Sequence, residues 1–236
     1  MDHQSSCGKL LLRNPIGEYK DVLAAANTYD QLKRDFVWNV PHQYNIGVDI
    51  CDKWADGSAK SALVYETASG RIQCYSFDQM QLLANRTANL LDANGVRRGD
   101  RVAILLPQQA ETAFCHIAIY KMGAIAVPLF TLFGYDALRY RLADSGARIV
   151  VTDVAGAAKL EQIRDDLPEL QTVLSVDGPA PGVEDFHALL QRCSDSRVAA
   201  VTAPDDPALI IYTSGTTGSP KGALLPHRTL LGQMKY

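Results

Sequence analysis

The sequence predicts an α/β fold, with a mostly parallel sheet and helices on both faces. Two observations lead to it. From Arg101 onward, short apolar runs alternate with stretches of helical periodicity. Those runs are near-continuously apolar, as strands covered on both faces are, rather than alternating apolar with polar. The bulk composition agrees: 236 residues, 47% hydrophobic and 21% charged, is an ordinary globular balance,. A chain of this length buries most of its apolar surface without disulfides or metals.

The elements follow in order. The stretch up to about Tyr19 is irregular. Tyr29–Trp38 and Ile46–Trp54 read as short helices separated by a break at Pro41. Ser61–Glu66 and Arg71–Tyr75 read as strands joined by a turn at Ser69–Gly70. Ser76, with Gln79 three residues on, makes a capping box. Phe77, Met80, Leu83, Ala84, Thr87, Leu90 and Leu91 then recur at helical spacing, and Gly95 marks the stop. Arg101–Leu106 is a strand and Gln109–Met122 a helix with its apolar residues on or near one face. Ala124–Val127 is a strand, Tyr135–Ser145 a helix, Arg148–Thr152 a strand and Ala155–Asp165 a helix. Thr172–Val176 is a strand and Val183–Arg192 a helix. Pro204–Pro207 is a polar link, and Ala208–Tyr212 is a last apolar strand. Ligands of such sheets bind beyond the carboxyl ends of the strands, which directs attention to the residues after Tyr212.

Several function classes are disfavoured. The net charge is −3 and no Lys/Arg block occurs, which weighs against nucleic acid or an anionic membrane as partner. The five cysteines include no CxxC pair, so reduced thiols in a cytoplasm are expected rather than a disulfide frame or zinc site. The N-terminus shows no signal-peptide pattern. Residues 113–133 are apolar, but His116, Lys121, Gly123 and Pro128 interrupt them. A central lysine costs about 2.5–3.5 kcal/mol in a bilayer helix, so a buried helix followed by a buried strand is expected, with no integral membrane segment.

The chemistry is concentrated after the last strand, where Thr213–Gly222 reads T-S-G-T-T-G-S-P-K-G. Each residue type has a use beside a polyphosphate. Gly215 and Gly218 permit positive φ and close approach of the backbone. Successive backbone N–H groups in such turns form an anion nest. Thr213, Ser214, Thr216 and Thr217 add hydroxyl donors, and Lys221 adds a mobile positive charge. A flexible linker would not need an apolar strand in front. A P-loop needs G-x-x-x-x-G-K-[ST], and here Ser219 and Pro220 follow Gly218, so that spacing fails.

The string Thr213–Gly222 resembles the signature loop of adenylate-forming enzymes, which include acyl-CoA synthetases, luciferases and peptide-synthetase adenylation domains. Tyr75-Ser76-Phe77, Gly99-Asp100-Arg101-Val102, Gly123–Leu129 and Leu142–Ala147 resemble the same family in the same order. Asn45-Ile46-Gly47-Val48-Asp49 and Pro128–Gly134 look most like its acetyl- and medium-chain acyl-CoA synthetase branch. The resemblance runs from about residue 30 to the end.

It implies a reaction in two steps. A carboxylic or fatty acid attacks the α-phosphorus of ATP, giving an acyl-adenylate and pyrophosphate; CoA then displaces AMP to give a thioester. Magnesium accompanies the nucleotide. The implied partners are therefore a small carboxylic acid, ATP and CoA. The implied phosphate contacts are Thr213, Ser214, Gly215, Thr216, Thr217, Gly218 and Lys221, with metal ligands undetermined. The resemblance divides the chain into an irregular segment, 1–28, and the N-terminal part of an AMP-binding domain, 29–236, truncated after the phosphate loop. The family's later Gly-x-Thr-Glu segment, ribose-binding Asp, hinge and catalytic Lys do not occur here. Catalytic residues are thus expected in the missing part, and the chain alone is expected to be inactive. An aryl-CoA ligase, a peptide-synthetase adenylation domain and a non-catalytic nucleotide-binding module are the competing readings. Among single residues, His227 is expected at a helix N-terminus and His116 in the core. Trp38, Trp54, Phe130 and Phe133 are expected to pack.

Overall fold

The computed structural model of the chain describes residues 28–214 and 218–233. Two short helices come first, α1 (Tyr29–Asp35) and α2 (Ile46–Ile50), followed by a 3-10 turn at Asp52–Trp54. A two-stranded antiparallel sheet, β1 (Ser61–Glu66) and β2 (Ile72–Ser76), leads into α3 (Phe77–Ala93). The larger sheet then begins: β3 (Arg101–Leu105), α4 (Ala110–Met122), β4 (Ile125–Pro128), α5 (Tyr135–Ser145), β5 (Ile149–Thr152), α6 (Val154–Glu161), β6 (Thr172–Ser175), β7 (Glu184–Asp185) and α7 (Phe186–Leu190). The last elements are β8 (Pro207–Thr213), β9 (Lys221–Pro226) and α8 (Thr229–Gln233).

The seven strands lie in the order β7-β6-β5-β3-β4-β8-β9. All neighbours are parallel except β8 and β9, which form an antiparallel hairpin. Alternate residues of each strand serve two cores. Val102, Ile104, Ala126, Ile149 and Val151 face α2, α3, α4 and α7. Ala103, Leu105, Val127 and Val150 face α5 and α6. The expected mostly parallel sheet with helices on both faces is present.

Differences from the expected elements have local causes. The capping box forms as read: Gln79 N–H donates to Ser76 Oγ at 3.2 Å, and Ser76 N–H to Gln79 Oε1 at 2.9 Å. The expected helix 183–192 instead opens as β7, which pairs with β6, and turns helical where the Asp185 carboxylate accepts from Ala188 N–H at 2.9 Å. The expected helix 155–165 ends at Glu161, and a 3-10 turn covers Arg164–Asp166. β9 was not expected at all. Lys-Gly-Ala-Leu-Leu-Pro is too short and too Gly/Pro-flanked to read as a strand without its partner. Phe130 was expected to pack and is 74% exposed. Cys51, Cys115 and Cys193 are free, but Cys74 is disulfide-bonded, against the expectation of reduced thiols, which rested only on the lack of a CxxC pair. No helix among the described residues is long and apolar enough to cross a membrane.

α4 is buried on most of its circumference rather than on one face, because α2 and α3 lie over the side turned away from the sheet. That arrangement puts Lys121 fully inside, at 0% exposure. Its amine reaches Asp52 at 2.7 Å and also donates to Asn85 Oδ1. A buried ammonium is tolerated only with such partners. The approach of α2 is close: a Cβ on Gly47 would stand 2.6 Å from Lys121 Cγ and 2.8 Å from the Ile117 carbonyl oxygen.

Asn45 ties this region together. Its Oδ1 accepts from Gly47 N–H at 2.9 Å and Val48 N–H at 3.4 Å, capping α2. Its Nδ2 donates to the carbonyls of Tyr120 at 2.8 Å and Ala200 at 3.2 Å. His227 completes the junction. It is buried, and its Nδ1 accepts from Ile46 N–H at 3.2 Å. Its side chain therefore keys into α2 and does not cap the helix that follows it. His116 is core-facing as expected, with Nδ1 3.1 Å from the Tyr120 hydroxyl.

Two predictions follow from this packing. Lys121→Met leaves Asp52 and Asn85 facing an apolar chain and should destabilise the fold by about 3 kcal/mol, the lower end for a broken buried pair because Asp52 keeps some solvent; chemical denaturation measures it. The second concerns pH. Burial holds both His116 and His227 down at about 4, against an ordinary 6.5. Between those values the unfolded chain binds protons that the folded chain refuses, so stability present at pH 7 is lost as pH falls from 6.5 towards 4. For His227, protonation would also set an N–H at Nδ1 against the Ile46 N–H. Urea midpoints should therefore fall between pH 7 and pH 5, and in His227→Asn, which keeps an acceptor but no titrating group, by about half as much.

Candidate functional site: the β8–β9 hairpin

The last strand pair builds the site. β8 joins the sheet beside β4, with Ala126 opposite Leu209. β9 returns antiparallel, pairing Thr213 with Lys221, Tyr212 with Gly222 and Ile211 with Ala223. Thr213 and Ser214 thus lie at the carboxyl end of β8, where the topology argument directed attention, and Lys221 opens the return strand,.

Of the seven expected phosphate contacts, Thr213, Ser214, Gly218 and Lys221 are described, and Gly215, Thr216 and Thr217 lie outside the described residues. The four described residues are exposed. Thr213 and Lys221 are cross-strand partners, so the hydroxyl and the amine leave the hairpin on the same face,. Gly218 has φ +88, a conformation that L side chains rarely adopt,. Among the described residues no group of three or more His, Cys, Asp or Glu could hold a metal ion. Burial pushes the Cys51 thiol up to about 12 and raises the Cys115 thiol, so neither is a nucleophile at neutral pH.

Sequence reasoning missed what holds the hairpin. Tyr212 was read only as the end of an apolar strand. By the period of two, its side chain points opposite to those of Thr213 and Lys221. Ile210 and Tyr212 pack on the α5–α6 side, whereas Leu209 packs on the other. The Tyr212 hydroxyl reaches α5, donating to Asp144 Oδ2 at 2.6 Å and standing 3.2 Å from the Arg141 carbonyl. Burial first, and the Asp144 carboxylate second, raise its pKa. The Arg141 guanidinium lies 4.1 Å from the Phe133 ring centroid and 5.6 Å from that of Tyr212. Tyr140 meets the Tyr212 ring edge-on at 6.5 Å. Across the hairpin, a Cβ on Gly222 would come within 3.2 Å of the Tyr212 ring. Nothing in the spacing of Arg141, Asp144 and Tyr212 signals this contact, since the strand and the helix are 68 residues apart.

An open depression of ≈ 510 Å³ lies along α5, lined by Asp136, Arg139, Tyr140, Ala143 and Asp144. It borders the Tyr212 contact and includes none of the loop residues.

Comparison with known proteins matches the chain to a family. The AMP-binding enzyme family matches residues 52–236. The mitochondrial acyl-coenzyme A synthetase ACSM3 of Mus musculus is 28% identical over 215 residues, covering 86% of this chain and 37% of that protein. The crystal structure of an acyl-CoA synthetase from Brucella canis superposes with a TM-score of 0.76 at 28% identity, covering 91% of this chain and 39% of its own. That of the anthranilate CoA ligase AuaEII, in complex with anthranoyl-AMP, superposes at 0.75 with 32% identity, covering 82% and 37%. The chain therefore spans less than two fifths of the length of these relatives. With a family match over most of its length, the chain belongs to the AMP-binding enzymes.

Proposed function

We propose that the chain supplies the ATP-phosphate clamp of an AMP-forming acid–thiol ligase, an acyl-CoA synthetase. The observation that carries this reading is the hairpin itself. Its stem presents a hydroxyl and an amine on one face, at the carboxyl end of β8, flanking the segment Thr213–Lys221. Gly215, Thr216 and Thr217 join the clamp by sequence alone. The relatives' activities, acyl-CoA synthetase and anthranilate CoA ligase, support a carboxylic acid and CoA as the other substrates. The chain's Asn45–Asp49 and Pro128–Gly134 strings favour an alkyl over an aryl acid.

The proposed chemistry needs little from these residues beyond placement. A carboxylate attacks the α-phosphorus while pyrophosphate leaves; the charge on the departing β- and γ-phosphates is met by backbone N–H groups, hydroxyls and the Lys221 ammonium. A nest of N–H donors with one lysine fits a triphosphate. Magnesium is proposed to arrive with the nucleotide, where it would offset phosphate charge. In this reading residues 29–236 form the N-terminal part of the AMP-binding domain, the protein is cytoplasmic, and these 236 residues on their own complete neither step.

Calorimetric titration with ATP·Mg2+ and with AMP tests the clamp. Lys221→Ala should weaken ATP by about tenfold or more, the loss of one charge-assisted contact, and leave AMP nearly unchanged. Equal ATP affinity in the two proteins would overturn the reading. A pyrophosphate-exchange assay on the chain alone should show no acid-dependent turnover; acid-dependent exchange would overturn its proposed incompleteness.

A further inference from the structure

The last residues of β8 are held from one face and used from the other. Thr213 and Lys221 stand on the open face. On the opposite face the Tyr212 hydroxyl donates to Asp144 Oδ2 at 2.6 Å. Asp144 is itself exposed and forms no ion pair among the described residues, and the Tyr212 hydroxyl is the donor it accepts from. Arg141 lies beneath, with its guanidinium against Phe133 and Tyr212 rather than against a carboxylate, and its Nη1 donating to the Ala137 carbonyl at 2.9 Å. Gly222 leaves the ring the room to lie across the hairpin. An exposed carboxylate is not needed to stabilise this core, and an aromatic ring alone would fill the space. What the hydroxyl–carboxylate pair adds is direction. A tyrosine ring can slide along a helix, whereas a 2.6 Å bond to a charged acceptor fixes where its end lies.

We infer that Asp144 is a positioning residue for the phosphate clamp: by accepting the Tyr212 hydroxyl it anchors the end of β8 to α5 and so sets where Thr213 and Lys221 meet a triphosphate. This rests on the proposed clamp. Because Tyr212 adjoins Thr213 in the chain and pairs with Gly222, neighbour of Lys221, a shift of its ring is passed to both stems of the hairpin. Tilting the stem misplaces donors without removing any of them.

The experiment uses Tyr212→Phe, Asp144→Ala, Asp144→Asn and the Tyr212→Phe/Asp144→Ala double variant, with ATP·Mg2+ and AMP affinities and the thermal midpoint without nucleotide. Tyr212→Phe and Asp144→Ala should each weaken ATP by about five- to tenfold, the net scale of one ordinary hydrogen bond, since the lost bond acts on the clamp only through its placement. The double variant should be no weaker than either single one, since both remove the same bond. Asp144→Asn retains an acceptor oxygen and should stay within about twofold of the wild type. AMP, which lacks the β- and γ-phosphates, should bind all four alike. A merely structural role would lower the thermal midpoint and leave ATP affinity unchanged, or reduce ATP and AMP together; either result overturns the inference. If Tyr212→Phe fails to fold, Asp144→Ala, at an exposed carboxylate, decides the matter alone. Should Lys221→Ala leave ATP binding intact, the clamp fails and this inference with it. Should Lys221→Ala weaken ATP while Asp144→Ala does not, only the positioning role fails.

Discussion

The side-chain amide of Asn45 is the constraint on which the rest of this structure depends. One end of it caps α2, and the other holds the Tyr120 and Ala200 carbonyls. These groups belong to three parts of the chain that share no regular hydrogen-bond ladder: an N-terminal helix, the end of the central helix α4 and the irregular segment ahead of β8. A buried amide that satisfies donors and acceptors on all three permits few arrangements, because shifting any one would strand a polar group away from water. Neighbouring bonds reinforce it. The Ala200 N–H donates to the Lys121 carbonyl at 2.7 Å, and Tyr44 and Thr202 exchange bonds at 2.9 and 2.7 Å.

The segment so pinned, residues 200–206, delivers β8 into the sheet beside β4. It is held at its far end as well. Arg98 pairs with Asp206, the His227 N–H donates to the Asp206 carbonyl at 3.0 Å, and the Arg228 N–H to the Pro204 carbonyl at 2.8 Å. The base of the hairpin is thus fixed by polar contacts to the α2–α4 corner, and its upper end by Tyr212 against α5. The fold thus supports the hairpin stem from both sheet faces.

Much of this was legible in the sequence where the signal is periodic and local. α5 falls at the residues that periodicity marks, β1 likewise, and the Ser76–Gln79 box caps α3 as its spacing requires. The segment Thr213–Lys221 stood out because its composition is dense in one kind of chemistry. The rest was not, for a common reason. Lys121 looks like an interruption in an apolar run until Asp52 and Asn85 are brought to it from elsewhere in the chain. β9 has no strand signature until β8 provides its ladder. His227 reads as the start of a helix because its acceptor role depends on Ile46, 181 residues away. Asn45 and Gly47 stood out only as a family resemblance; their physical reasons, a two-sided amide and a close helix contact, are tertiary.

The hairpin carries one more consequence. Side chains alternate across a strand with a period of two, so the pairing of Thr213 with Lys221 constrains how the tip can vary in evolution,. Residues can be gained or lost within the tip, and the stem simply closes over a longer or shorter arch. A single deletion within β9 is another matter: with the rest of the strand held in its pairing, it would turn the lysine to the α5 side,. Length variation among relatives should therefore gather at the tip and avoid the return strand, or come there in pairs.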